Sequence, residues 1–381
     1  MMKSIVYILL VRLAILSSSL ALAPPRASPR LLSRAEHVFS TKQPRPFKAS
    51  STSTSRRISQ WPTQIFSTDQ HPTTKTAAIR RFYETYLWKG RYNINYRVEG
   101  DSDDGTPILL IHGFGSNINH YRYQFPALVD AGFRVYAIDL LGFGGSDKPG
   151  DYHLYSIENW AQLCFDFCND MQQEQQQQQQ QPWVLAGNSI GGLCALATAE
   201  ILFNNTKACV LFNCAQGMNG FRYEDVPLCW KPIIWFVQKV ILGPVLGGPF
   251  FENYFKSRKN IKYILKLVYR DTTNVDDALI EILSAPADDK GAKDVFLNVF
   301  GGLPGPTPES ILSKLESLPI LALWGEADPW TPVDRGKHPG KDFSNYAKNF
   351  TLMTIPGAGH CPHDECPDQV NEKLITWLKA I

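Results

Sequence analysis

Short, largely apolar runs alternate with longer mixed segments through most of the chain: residues 108–111, 135–138, 183–186, 209–212, 320–323 and 351–355. Runs this short without polar alternation suit strands covered on both faces, and helical stretches between them imply crossovers in a mostly parallel sheet. Ahead of them, 86–90 and 91–99 predict a leading β-hairpin, and 101–106 a turn. The pattern predicts an α/β fold, a mostly parallel central sheet flanked by helices, beginning near Ala78. One helix is expected around 160–170. Between Phe212 and Ile320 roughly a hundred residues lack strong strand patterns, and a helical cap over about 215–308 is expected there. Its segment 230–255 is rich in Trp, Ile, Val, Leu and Phe but broken by Gly243, Pro244, Gly247, Gly248 and Pro249. That composition fits packing against the core, an apolar substrate cleft, or contact with a membrane surface. It does not fit a spanning helix. Residues 172–181 are glutamine at every position but Glu174, read as a loop expansion without chemistry.

The 381 residues are 44% hydrophobic with a formal net charge of +2, enough for one large domain. The predicted folded part has no basic run, which argues against a nucleic-acid partner. The N-terminus is different. Residues 1–23 have a basic Lys3, an apolar stretch over 5–22 and a small-x-small Ala21-Leu22-Ala23 site, as a secretory signal does. Residues 24–77 read as a transit-peptide-like, disordered linker. Between 24 and 60 they hold eight basic residues against one acid, Glu36, and abundant Ser and Thr. The two parts together resemble the bipartite presequence of algae whose plastid came from a eukaryotic endosymbiont, with secretory or mitochondrial delivery as alternatives. The eight cysteines fall largely in apolar patterns, as Cys209 does, and read as small buried hydrophobes rather than a disulfide framework.

The candidate chemistry centres on Gly187-Asn188-Ser189-Ile190-Gly191, where an apolar strand pattern runs into small, helix-forming residues. A nucleophile elbow needs that context, a sharp strand-to-helix turn with glycines where the backbone passes closely. The five-residue pattern alone is weak; its partners strengthen it. Asp328 follows the run 320–325 and His360 follows 350–355, His360 in the glycine-bracketed segment 356–360. The order Ser, Asp, His is that of α/β-hydrolases and of no other common serine triad. Ser189 is read as the nucleophile, His360 as the base and Asp328 as the acid that orients it. His363 is the competitor for the base, and Glu326 and Asp334 for the acid. Two backbone N–H groups are expected to face the developing oxyanion, from Ile190 and from Phe114 in His112-Gly113-Phe114-Gly115. His112 is read as structural. Phe114, Asn188 and Trp330 are expected to contact substrate.

Two other patterns carry less. His360, Cys361, His363 and Cys366 are zinc-capable residue types, but a metal there would remove the base, so none is expected. Gly142-Phe143-Gly144-Gly145-Ser146 lacks the lysine of a phosphate loop and the spacing of a dinucleotide fingerprint, and reads as a turn. A serine at the elbow also separates this chain from dehalogenases and epoxide hydrolases of the same fold, which use aspartate.

Segments 112–115, 137–144, 146–149, 187–192, 324–332 and 359–365 together resemble the plastid α/β-hydrolases that remove phytol from chlorophyll pigments, the chlorophyll dephytylase and pheophytinase-type enzymes. Asn213-Cys214-Ala215-Gln216-Gly217-Met218-Asn219 and Pro286-Ala287-Asp288-Asp289-Lys290-Gly291-Ala292 resemble the dephytylases more than the pheophytinases. The resemblance covers roughly Tyr86 to the C-terminus. It implies hydrolysis of a phytyl ester to chlorophyllide and phytol and a lipophilic partner, chlorophyll or pheophytin. It also implies peripheral thylakoid association and no cofactor, since the magnesium belongs to the pigment. Other readings are a carboxylesterase, a C–C bond hydrolase on another lipophilic acyl substrate, and a triad-bearing ligand receptor.

Overall fold

The computed structural model describes residues 83–100, 105–174, 181–218, 231–236, 246–334 and 339–381. The presequence reading, the start near Ala78, Cys229 and most of the expected turn at 101–106 lie outside them. Eight strands form one sheet: β1 (Tyr83–Trp88), β2 (Tyr92–Glu99), β3 (Pro107–Ile111), β4 (Arg134–Ile138), β5 (Trp183–Asn188), β6 (Thr206–Phe212), β7 (Ile320–Gly325) and β8 (Phe350–Ile355). The order is β1-β2-β4-β3-β5-β6-β7-β8. β1 pairs antiparallel with β2, and β2 with β4; the other pairings are parallel. All six apolar runs and the leading hairpin are strands, up to three residues longer than their apolar cores. Lys89 and Gly90 both take positive φ in the hairpin turn, which Arg91 N–H closes onto Trp88 O. Such a primed turn matches the twist of the flanking strands.

The sheet is covered on both faces, as unbroken apolar runs require. On β3, Leu109 and Ile111 face one cluster and Ile108 and Leu110 the other, the period-two alternation of a strand. The helices α1 (Gln124–Asp130), α2 (Ile157–Glu174) and α3 (Ile190–Ile201) follow β3, β4 and β5. α2 and α3 close the first face with Trp160, Leu163, Phe167, Leu193 and Leu196. α1 and the last helix in sequence close the second with Phe125, Leu128, Val370, Leu374 and Leu378.

Between β6 and β7 the described elements are helical. A short turn at Lys231–Phe236 is followed by Gly247–Phe250, which runs into a π turn at Phe251–Phe255. Then come α4 (Arg258–Val268), α5 (Asp277–Ser284), α6 (Ala292–Gly301) and α7 (Pro308–Leu312), and α8 (Pro367–Ala380) ends the chain. The Asp276 side chain caps α5 by accepting from Leu279 N–H, one of the orphan donors of a helix start. In the apolar segment 230–255, Trp235 and Phe236 are about half exposed while Phe251 is buried. No helix among the described residues is long and apolar enough to cross a membrane.

One expectation needs correction. The glutamine tract does not begin as a loop: α2 runs on through Gln172 and Gln173 to Glu174. Glutamine is a good helix former, and Gln172 is buried, donating to Gln181 O and accepting from Asn205 Nδ2. Residues 175–180 lie outside the described residues.

Candidate active site

Ser189 stands between β5 and α3 with φ +56° and ψ −122°, a backbone strain that a non-glycine residue adopts only where its surroundings impose it. The sequence pays for this turn with glycine. A Cβ on Gly187 would meet Gly191 O at 2.2 Å, and one on Gly191 would meet Ile111 O at 2.1 Å. Asn188 locks the turn from below, its amide donating to Phe212 O at 3.0 Å and His360 O at 3.1 Å. Asn188 reaches the cleft, but its amide is committed to backbone carbonyls. Ile190 opens α3, where the first N–H groups have no intrahelical acceptor.

The loop after β3 lies against the serine: a Cβ on Gly113 would sit 3.3 Å from Ser189 Cβ. His112 is buried, with Nδ1 2.7 Å from Gly113 O and Nε2 accepting from Leu140 N–H at 3.1 Å. The second contact fixes the tautomer, so Nδ1–H donates to Gly113 O and holds the loop. The Phe114 ring packs among Phe143, Phe255, Phe296 and Phe300.

Asp328 and His360 come together from the ends of β7 and β8, His360 Nδ1 2.8 Å from Asp328 Oδ2. The same oxygen accepts from Asn213 Nδ2 at 2.5 Å and Thr331 Oγ1 at 2.6 Å, and Oδ1 accepts from Trp330 and Thr331 N–H. Burial pushes this carboxyl up, but the His360 charge and the hydrogen bonds from His360, Thr331 and Asn213 more than offset it, holding it at about 2. Asn213 takes φ +45° at the end of β6 and also receives Gly325 N–H. The sequence assigned no role to Asn213 or Thr331; for Asn213 a polar residue directly after a buried strand was the available signal, while Thr331 lies six residues past the end of β7.

Of the competitors, Glu326 accepts from Thr354 at the surface. His363 is buried against His120, Tyr121 and Phe212, its ring nitrogens without a hydrogen-bond partner among the described residues. The glycine-rich segment after β4 is a turn around Asp139, which accepts from Gly145 N–H, with positive φ at Gly142 and Gly144. The seven described cysteines are free thiols, six of them buried.

Ser189, His360, Phe114 and Trp330 all line one cleft of about 180 Å³, with Phe251, Phe255, Leu265 and Phe296 from the helical segment between β6 and β7 among its apolar walls. The Trp330 ring lies 5.3 Å from the His360 ring and is 38% exposed, at the rim.

The buried histidines carry a pH signature. Burial pulls His112, His120 and His363 below the usual imidazole range, His120 to about 4. The unfolded chain, titrating near 6.5, binds more protons just below that pH, so stability falls as pH drops from about 6.5 toward the folded values. The three rings act in the same direction. Urea unfolding should show a lower stability at pH 5.0 than at pH 7.5; equal stabilities would contradict the neutral burial of these rings.

Residues 108–373 match the family model described as the alpha/beta hydrolase family. The chain is 29% identical to the chloroplastic pheophytinase of Arabidopsis thaliana over 77% of this chain. That match spans 66% of the plant protein, just under two thirds of its length. It is 25% identical to the 2-hydroxy-6-oxo-6-(2'-aminophenyl)hexa-2,4-dienoic acid hydrolase of Metapseudomonas resinovorans, over 78% of this chain and 91% of that one. Epoxide hydrolase 3 of Xenopus tropicalis is 25% identical over 75% of each chain. Among solved structures, a serine hydrolase of carbazole degradation, CarC, superposes with a TM-score of 0.59 at 21% identity, covering 78% of this chain and all of that one. Fold, family model and relatives agree that this chain belongs to the alpha/beta hydrolase family.

Proposed function

We propose that this chain is a serine hydrolase that cleaves the phytyl ester of chlorophyll-type pigments, releasing chlorophyllide or its magnesium-free counterpart and phytol. The observation that carries the hydrolytic part is the strained Ser189 in the same apolar cleft as His360, whose ring is bonded to the buried Asp328 behind it. Ser189 Oγ attacks the ester carbonyl while His360 takes its proton; Asp328 holds the ring with Nδ1–H toward itself, leaving Nε2 for the serine. The N–H groups of Ile190 and Phe114 receive the oxyanion. His360 then protonates the departing phytol, water repeats the attack on the acyl-enzyme, and Ser189 is restored.

The pigment reading is supported by the similarity to pheophytinase and by the aromatic and aliphatic cleft. At about 180 Å³ the enclosed space is below the roughly 300–1,000 Å³ of common ligand pockets. It suits a stretch of chain near the ester, with the macrocycle at the rim by Trp330 or admitted by cap displacement. The N-terminal composition supports delivery to a plastid; a fluorescent fusion of residues 1–77 that remained in the secretory route would exclude it. The similarity to the dienoic acid hydrolase favours a C–C bond hydrolase as the second reading. The deciding experiment incubates the protein with chlorophyll a, pheophytin a, a vinylogous 1,5-diketone and a nitrophenyl ester, with products separated by chromatography. Chlorophyllide or pheophorbide with free phytol is the expected result; turnover of the diketone alone would move the chain to the second reading.

A further inference from the structure

A second buried polar chain lines the cleft and has no part in the mechanism above. Ser116 Oγ, two residues past Phe114, lies 3.0 Å from His120 Nδ1. His120 Nε2 lies 2.8 Å from the Tyr269 hydroxyl, which donates to Asp364 Oδ2 at 3.0 Å. Arg122 holds both oxygens of Asp364, at 2.7 and 3.2 Å. Ser116 and His120 are cleft residues and only 7% and 4% exposed.

The protons along this chain are ordered. A carboxylate paired with a guanidinium only accepts, so the single Tyr269 proton points at Asp364. The phenol oxygen must then accept from His120 Nε2–H, which leaves Nδ1 as a bare acceptor for the Ser116 hydroxyl. Such a histidine is a poor base, because burial keeps it neutral, and Ser116 is no second nucleophile. What the chain does mechanically is clearer. It joins three segments: the loop after β3 at Ser116, the end of cap helix α4 at Tyr269, and the turn after His360 at Asp364. Asn117 adds a bond to Ile282 O in cap helix α5.

The loop needs such an anchor. Phe114 is flanked by Gly113 and Gly115, the latter at φ +65°, and glycines leave a backbone soft. An oxyanion donor works only where its N–H is fixed before charge develops.

We propose that Ser116, through His120 and Tyr269, is a positioning residue that fixes the Phe114 N–H for the oxyanion and makes that donor's placement depend on the cap. The proposal rests on the serine mechanism under Proposed function, in which Ser189 attacks and the Phe114 N–H receives the oxyanion. A misplaced donor weakens the transition state more than the bound ester, so the loss falls on kcat.

The test uses nitrophenyl butyrate and a trifluoromethyl ketone, with the full chain. The ketone carbon takes Ser189 Oγ, the serine proton passes to His360, and the ketone oxygen becomes an oxyanion. Ser116→Ala should lower kcat about tenfold to a hundredfold, leave KM within about twofold, and weaken the ketone by the same factor as kcat/KM. Ser116→Thr, which keeps a hydroxyl, should recover most of kcat. Tyr269→Phe, which strands His120 Nε2–H, should reproduce the loss in part and covers the case in which Ser116→Ala does not fold. A lowered melting temperature with kcat and ketone affinity unchanged would overturn the proposal, as would a rise in KM alone, which would make Ser116 a substrate contact. Failure of the underlying assignment reads differently: Ser189→Ala would keep its turnover and the ketone would not inhibit the parent protein.

Discussion

Ser189→Ala is expected to lower kcat on a soluble ester by about 10⁶-fold, with His360→Ala close behind and Asp328→Asn near 10⁴-fold. The size follows from the arrangement. Alanine removes the attacking oxygen and leaves the His360–Asp328 pair with nothing to deprotonate. Alanine at 360 leaves a serine hydroxyl without a base in an apolar cleft. Asparagine at 328 keeps much of the shape, but with a single oxygen it cannot accept at both sites: an NH2 in place of Oδ1 faces the Trp330 and Thr331 N–H groups, and one in place of Oδ2 faces His360, so the imidazole loses its tautomer as well as its counter-charge. These residues act as one unit, so Ser189→Ala combined with His360→Ala should be little worse than Ser189→Ala alone. Steady-state kinetics, with circular dichroism as a check of folding, measure all four. Retention of more than a tenth of the activity by Ser189→Ala would remove the serine mechanism.

The strands were legible because both faces of this sheet are covered. A run such as Ile108-Leu109-Leu110-Ile111 then has no polar partner residues to blur it. The elbow was legible because backbone crowding at Gly187 and Gly191 leaves a fixed trace in sequence. What stayed hidden are contacts between segments far apart in the chain. Asn213 bonds Asp328 across 115 positions, and His120 meets Tyr269 across 149. No local pattern marks such pairs. The glutamine tract misled for the opposite reason: its composition suggested a loop, while Gln172 is helical and bonded at both ends of its amide.

The alcohol should matter to this enzyme as much as the acyl carbonyl does. If the chain of a phytyl ester lies along Phe251, Phe255, Leu265 and Phe296, its methylenes leave water in the Michaelis complex and stay out of it in the transition state. Each buried CH₂ contributes at most about 0.8 kcal/mol, and four or five of them would give roughly 3–4 kcal/mol. That corresponds to a preference of 10²-fold or more in kcat/KM for the phytyl over the methyl ester of the same pigment acid. Both esters must be assayed in one detergent, so that dispersal of the substrate is common to the pair. Phe255→Ser and Phe296→Ser should erode the ratio while leaving nitrophenyl acetate turnover largely intact, because a short ester does not reach those rings. Equal kcat/KM for the two pigment esters would take the tail out of the cleft and leave a general carboxylesterase, whatever the fate of Ser189.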